Sequence, residues 1–455
     1  MILANLMHAP MSPPELSGCR ATVMGLGTFG AGIAVTRFLL EQGAHVTLTD
    51  LKTERELHHS LAELPDDARL TLHLGGHRLE DFSQADLVVV SPAVRPDNEF
   101  IHCARDNAIA ITTEMNLFWQ HNRARVIGVT GSNGKSTTAA LIHAMLQAAG
   151  INSHLGGNIG RSLLPQLPLL TSEAWVVLEL SSFQLHYLDQ IQAAPDVAVV
   201  TNLQPNHLDW HGTFEDYRHD KQALLRWQRP DQFAILPGDD PDVSSWPTDA
   251  RRFEFTDDDT PPLPIDDVLT LPGRHNRRNV LAAVQAAGCV GAGEDAVRAA
   301  IAEFSPLPHR LEYLGEFLGR RFYNDSLATT PESAIAALEV FDTPIVLLAG
   351  GSDKGVDLRE FAEVIVSKTK AVALMGETGP ALQTAIEACG SPTVPQLCRP
   401  ASLEEAFTWT LDHSHVGYTI LLSPGCASYD WFENFAQRGE EFRSQLENLR
   451  AAGSL

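Results

Sequence analysis

The chain has 455 residues, 44% of them hydrophobic and 20% charged, with a formal net charge of −24. That length and apolar content suit about three domain cores and exclude a disordered chain or a disulfide-stapled miniprotein. The acidic excess argues against non-specific nucleic-acid binding and against docking on an anionic membrane, while a locally basic site for a small anion stays open.

In chain order, the first 18 residues hold no Lys or Arg and are interrupted by prolines, so they read as a tail rather than a secretory signal. No apolar run approaches the roughly 18 residues of a membrane-spanning helix. Cys19, Cys103, Cys289, Cys389, Cys398 and Cys426 form no Cys-x-x-Cys pair, which predicts reduced thiols in a cytoplasmic protein. A β-run at 21–24 leads into a glycine turn and a helical pattern, and HVTLTD (45–50) and DLVVVSPAV (86–94) follow. A second series opens with RVIGVTGSNGKSTTAALIHAML (125–146) and continues through AWVVLELSS (174–182) and DVAVVTNLQPNH (196–207). A third holds PIVLLAGGSDKG (344–355), AVALMGETG (371–379) and TILLSPGCAS (419–428). Short Val/Ile/Leu runs alternating with helical patterns predict parallel sheets with helices on both faces, hence three α/β domains. DDDTPPLPIDD (257–267) reads as a surface excursion, 279–302 as helices, and SPLPHRLEYLG (305–315) as a linker.

Gly25-Leu-Gly27-Thr-Phe-Gly30 suits close backbone approach to a diphosphate, and Asp50 lies 20 residues after Gly30, where an acidic residue reaches a ribose or base. Taken alone the pattern says NAD, and a packing turn fits it as well. Thr130-Gly131-Ser132-Asn133-Gly134-Lys135-Ser136-Thr137 is more specific. Backbone N–H groups at a helix start cradle phosphates, Lys135 reaches their oxygens, and the Ser136 hydroxyl suits Mg²⁺. Strict Walker spacing is absent, since Val129 stands five before Gly134. Glu179 and His207 end the next two β-runs, where a parallel sheet places its ligands, and a carboxylate beside bound ATP suits Mg²⁺. His207 and His211, four apart, lack the Glu of a His-Glu-x-x-His zinc site, so His211 reads as a capping or core residue. By composition Lys221 is a surface lysine on an amphipathic helix.

Beyond these sites, TGSNGKST (130–137), GGNIG (156–160), ELSSFQL (179–185), NLQPNHLDWH (202–211), GRHNRRN (273–279), PHRLE (308–312), YNDSLAT (323–329), AGGSDKG (349–355) and LLSPGCASYDWFENF (421–435) occur in the order and spacing of one family. Along nearly its whole length the chain resembles the Mur ligases, and the last motif with ELSSFQL favours their glutamate-adding branch. The resemblance implies a Rossmann-like domain for the UDP-sugar (1–114), a P-loop-type ATPase domain (115–306) and a Rossmann-like domain for the amino acid (307–455). It implies ATP-dependent addition of D-glutamate to UDP-N-acetylmuramoyl-L-alanine through an acyl phosphate, in peptidoglycan precursor synthesis, by a cytoplasmic monomer. It makes Ser136, Glu179, His207 and a carbamylated Lys221 the ligands of two Mg²⁺ ions. It implies ATP contacts from residues 131–137, Asn276, Asn279, Arg310 and Asp325, and an active-site role for His309. Gly27, Thr28, Asp50, Ser91, Asn158 and Ser181 would hold the UDP-substrate, and this overrules the NAD reading. His207, Thr329, Lys354, Ser428 and Phe435 would hold the amino acid.

Two positions depart from the pattern: Lys52, where some relatives place Arg near the uracil, and Leu327, which stands where the family carries Lys in Asn-Asp-Ser-Lys-Ala-Thr. Losing a cation beside a dianionic substrate leaves L-glutamate and other acidic amino acids open as alternatives. A nicotinamide oxidoreductase and a UDP-sugar-binding regulator without catalysis remain as rivals. The GKST loop stands against the first, and the presence of Glu179, His207, Lys221 and Asp325 against the second.

Overall fold

The computed structural model describes residues 15–26, 30–160, 162–256, 263–265, 267–269, 273–305, 307–353, 355–390 and 394–453. Gly27, Thr28 and Lys354, and most of the 257–267 excursion, lie outside the described residues. The chain is α/β and divides into two compact units, residues 1–268 with 278–303, and 269–277 with 304–455.

The first unit holds two parallel sheets. Strands β1 (Arg20–Met24), β2 (His45–Asp50), β3 (Leu70–Leu74), β4 (Leu87–Val90) and β5 (Ala110–Thr112) run in the order β3-β2-β1-β4-β5. The order reverses at β1, and a crevice opens beyond the carboxyl ends of strands at such a point. Strands β6 (Arg125–Thr130), β7 (Ser153–Gly157), β8 (Trp175–Glu179), β9 (Val197–Val200), β10 (Phe233–Pro237) and β11 (Arg251–Phe255) run β11-β10-β9-β6-β8-β7. Because β6 lies between β8 and β9, the ends of these three strands stand side by side. Val/Ile/Leu runs suit them because they are buried on both faces. One apolar cluster joins the two sheets, with Phe38 and Leu39 from one side and Leu163, Leu178 and Leu188 from the other.

The second unit holds β12 (Glu312–Phe317), β13 (Arg320–Asn324), β14 (Ile345–Gly350), β15 (Thr369–Met375), β16 (Gln396–Cys398) and β17 (Thr419–Leu422), in the order β12-β13-β17-β14-β15-β16. Its edge corrects two sequence expectations. β12 and β13 pair antiparallel, and part of the supposed linker is strand β12. Leu318 (φ 50°) and Gly319 (φ 69°) turn the chain with positive φ at both positions, as a two-residue hairpin between right-twisted strands requires. Among the described residues no helix is long and apolar enough to cross a membrane.

Candidate active site

Strand β6 ends at Thr130 and the helix Lys135–Ala148 begins five residues later. Gly131 (φ 146°) and Gly134 (φ 83°) take backbone conformations that side chains rarely adopt. A Cβ on Gly131 would collide with Thr201 Oγ1, and one on Gly134 with Asn279 Oδ1, so neighbouring side chains close on this loop. The loop is clamped from the end of β9. Asn133 N donates to Asn202 Oδ1 (2.9 Å), Asn202 Nδ2 donates to Asn133 O (3.0 Å), and Ser132 N donates to Asn202 O (3.0 Å). Ser132 Oγ bonds Gln204 O (2.8 Å) and meets Tyr217 OH (2.9 Å). Burial pushes the Tyr217 phenol up to about 12, so it stays protonated there. Lys135 Nζ donates to the carbonyls of Gly131 (3.0 Å) and Ser132 (2.8 Å), which holds its charge over the loop. Ser136 is half-buried and Thr137 buried in the first turn of the helix.

Glu179 ends β8 beside this loop. Its Oε1 accepts from Asn158 Nδ2 (3.1 Å), whereas Oε2 is buried with no hydrogen-bond partner among the described residues. A buried carboxylate oxygen without a donor suits a hard cation. Lys221 corrects the composition-based reading of a surface residue: its relative exposure is 1%. Its Nζ donates to Gly131 O (2.7 Å) and lies 4.7 Å from the centroid of the Tyr217 ring. Burial, reinforced by Lys135, pushes its ammonium well below the ordinary lysine value against the pull of Glu179 and Asp220. The helix Phe214–Arg226 carries it inward because Tyr217, Asp220, Lys221 and Leu224 fall on the buried side. His207 takes a left-handed conformation (φ 55°, ψ 33°) as N-cap of the short helix Leu208–His211, with its exposed ring 4.8 Å from that of Phe183. Among the described residues no group of three or more His, Cys, Asp or Glu is arranged to hold a metal ion. The fit to Mg²⁺ therefore rests on the Glu179 oxygen, the Ser136 hydroxyl and oxygens brought by substrate.

The structure brings residues 131–135, Glu179, Lys221, Asn158 and Asn279 together. His211 is a core residue, as expected, with Nδ1 2.8 Å from Asp220 Oδ2 and Nε2 2.9 Å from Ser182 Oγ. Sequence reasoning missed this network and the Tyr217–Ser132 contact; no local pattern distinguishes such residues from ordinary helix positions. At the first sheet, Asp50 ends β2 and accepts from Leu26 N (2.8 Å) and Lys52 N (2.8 Å), which folds both turns around it. Ser91 is exposed just beyond β4. Ser181 caps the helix Ser182–Gln190 in a reciprocal box with Gln184.

In the second unit, the ring of His309 (φ 63°) meets Asn324 Nδ2 at Nδ1 (3.0 Å) and Glu440 at Nε2 (3.4 Å). Burial lowers its pKa. Asn276 is buried near the start of the helix Arg274–Val290, Arg310 is half-buried, and Thr329 closes the loop after β13. Ser428 is buried, and Phe435 O accepts from Ser326 Oγ (2.7 Å). Asp325 accepts from Leu311 N (3.0 Å) and Ser423 Oγ (2.7 Å), and burial raises its carboxyl to about 7. The fold therefore binds a proton there that the unfolded chain has released, and this contribution to stability fades as pH rises from about 4 to 7. Asp325→Asn mimics the neutral acid. Melting temperatures across that window are expected to show the wild type losing stability relative to the variant as pH rises.

Three family models match the chain: the MurD-like N-terminal domain of Mur ligases at 19–113, the Mur ligase middle domain at 129–287, and the Mur ligase glutamate ligase domain at 309–426. The UDP-N-acetylmuramoylalanine–D-glutamate ligase of Symbiobacterium thermophilum is 40% identical over 457 residues, covering 94% of this chain and 98% of that protein. The protein of the same name from Roseiflexus sp. is 38% identical over 470 residues, covering 96% and 100%. Among solved structures, the UDP-N-acetylmuramate-alanine ligase MurC of Thermotoga maritima matches with a TM-score of 0.62 at 18% identity, over 95% of this chain and 100% of that one. MurF ligase of the same organism in complex with ADP matches at 0.58 and 17% identity, over 96% and 97%. At those identities the structures establish a shared fold.

Proposed function

The chain belongs to the Mur ligase family, and from that premise we propose that it joins D-glutamate to UDP-N-acetylmuramoyl-L-alanine at the expense of ATP, in peptidoglycan precursor synthesis. Residues 1–114 serve the UDP-substrate, 115–306 serve ATP, and 307–455 serve the amino acid. The observation that carries the reading is a buried Lys221, 2.7 Å from the phosphate-loop carbonyl of Gly131, in a pocket shared with Lys135 and Glu179.

A carboxylate is a poor electrophile because its own charge repels an attacking amine. In the first step the alanyl carboxylate attacks the γ-phosphorus of ATP, and ADP leaves. In the second, the glutamate amine attacks the acyl phosphate carbon, loses a proton, and phosphate departs with its bonding pair. The loop amides at 131–134 hold the ATP phosphates at the helix N-terminus, and Lys135 transfers its donors from the loop carbonyls to phosphate oxygens. Two Mg²⁺ ions, one held by Ser136 and Glu179 and the other by His207, would neutralise the crowded phosphate charge. Lys221 joins that set as a carbamate. Its neutral amine adds to CO₂ and releases one proton, giving two oxygens that share one negative charge where an ammonium would repel a cation. Asp50 and Ser91, with Gly27 and Thr28, take the uridine end, and Asn158 and Ser181 the diphosphate. Asn276, Asn279, Arg310 and Asp325 take the nucleoside and phosphates of ATP, and His309 lies in the active site. Thr329, Lys354, Ser428 and Phe435, with His207, take glutamate.

Phosphate release from Mg-ATP with UDP-N-acetylmuramoyl-L-alanine tests this reading, comparing D-Glu, L-Glu and D-Asp. Release that requires the nucleotide precursor and D-Glu supports it; no release with any acceptor rejects it. Half-buried Leu327, standing where the family carries Lys, leaves a second reading, addition of L-glutamate or another acidic amino acid. Leu327→Lys adds one charge-assisted contact, worth about 1.5–3 kcal/mol, and is expected to lower the KM for the preferred glutamate enantiomer about tenfold or more. The KM ratio of variant to wild type measured with each enantiomer checks this.

A further inference from the structure

We infer that Asp220, His211 and Ser182 are positioning residues that aim Lys221 and His207 at the phosphate loop, a role that rests on the reading of those two residues given above. Successive residues on a helix lie about 100° apart, so whatever clamps Asp220 also sets the rotation of the helix that carries Lys221. Asp220 is clamped from two sides. Its Oδ1 meets His186 Nδ1 (3.0 Å) and its Oδ2 meets His211 Nδ1 (2.8 Å). His186 lies on the helix Ser182–Gln190, and His211 ends the short helix whose N-cap is His207. His211 Nε2 in turn meets Ser182 Oγ (2.9 Å), three residues after Glu179. The relay thus ties together the three chain segments that carry Glu179, His207 and Lys221.

The His211 side chain is fully buried, with each ring nitrogen engaged, so the imidazole has one orientation. The Asp220 carboxylate can only accept, so His211 Nδ1–H donates to it, and Nε2 meets the Ser182 hydroxyl. Burying a carboxylate with two imidazoles is a poor way to stabilise a fold, because desolvation offsets most of the attraction. A fixed direction is what the network supplies. Residues that orient a metal's ligands typically change metal affinity about 10–100-fold when removed.

The test uses the full-length protein with Asp220→Asn and Ser182→Ala. Asn keeps the shape of Asp but replaces one acceptor oxygen with a donor, so one of the two histidines must change tautomer or lose its bond. Three quantities are read: the ¹³C carbamate signal after equilibration with ¹³C-bicarbonate, Mn²⁺ affinity by electron paramagnetic resonance, and kcat against KM for glutamate. Folding is checked by circular dichroism. Folded Asp220→Asn is expected to lose carbamate signal, to bind Mn²⁺ about 10–100-fold more weakly, and to lose kcat at unchanged KM. Ser182→Ala should move the same way by less. Folded variants with wild-type carbamate and Mn²⁺ affinity would overturn the relay and leave it as core packing. If Asp220→Asn does not fold, Ser182→Ala decides by the same criterion. A wild type without carbamate signal would instead overturn the modification of Lys221, and Mn²⁺ affinity would then judge the relay through His207.

Discussion

Lys221→Ala should cut ligation about 10³-fold while leaving the protein folded. Removing one preorganised group that stabilises transition-state charge costs on the order of 10²–10³-fold in kcat. Lys221 serves twice in the proposed scheme, as a metal ligand and as the wall of the phosphate pocket, so the upper end is expected. The fold does not need it. Gly131 O, which accepts from Lys221 Nζ, also accepts from Lys135 Nζ (3.0 Å), so truncation leaves no orphaned carbonyl. Burial disfavours the charged lysine, and its pKa is pushed below the ordinary value. In CO₂-free buffer the unfolded chain therefore binds a proton that the fold resists, and this penalty deepens as pH falls below the ordinary lysine pKa. The melting temperature of Lys221→Ala relative to wild type should accordingly rise toward lower pH. Phosphate release and paired melts check both halves. A variant within tenfold of wild-type turnover would remove Lys221 from the mechanism.

How far such a residue can be read from sequence depends on where its signal lies. Gly131, Gly134 and Lys135 were legible because a strand, a glycine loop and a helix start are contiguous, and the backbone conformation each glycine adopts is one that favours glycine. Lys221 was legible only through resemblance. Its local pattern is that of a solvated amphipathic helix, and its burial comes from the ends of β6 and β8, 91 and 42 residues away in sequence. The relay of Asp220, His211 and Ser182 lay beyond reach for the same reason, since its partners are 9 and 29 residues apart and no period marks them. At the fold level, alternating apolar runs foretold three α/β series because a parallel strand buried on both faces reads as continuous Val/Ile/Leu. They did not foretell the hairpin at β12 and β13. Tyr313-Leu-Gly-Glu-Phe-Leu-Gly-Arg-Arg-Phe is a mixed run, its turn is Leu318-Gly319 rather than Asn-Gly, and two prolines just before it suggested a linker.

Replacing Arg438 by Leu should strongly destabilise the second unit. Arg438 is 1% exposed, and burial brings its guanidinium down to about 10, so it stays charged at neutral pH. It donates to Ser326 Oγ (3.0 Å), Ser326 O (2.9 Å), Cys426 O (3.1 Å) and Ala427 O (3.2 Å). One planar fork thereby fastens the loop after β13, which holds Asp325 and Leu327, to the loop after β17, which leads to Ser428. Leucine fills much of the volume but leaves the Ser326 and Cys426 carbonyls without a donor among the described residues, at about 1–3 kcal/mol each, while Ala427 O keeps the Ser352 N–H (2.9 Å). Two such losses are a large share of the roughly 5–15 kcal/mol stability typical of a domain. Arg438→Lys should recover only part, because one ammonium on a flexible stem cannot span two loops as a rigid guanidinium does. The expected order of melting temperatures is wild type, Lys, then Leu. Where the Lys variant folds, the same loosening should raise KM for glutamate more than it lowers kcat, since the two loops carry the proposed acceptor contacts. Equal melting temperatures for all three proteins would show that the loops hold without the fork.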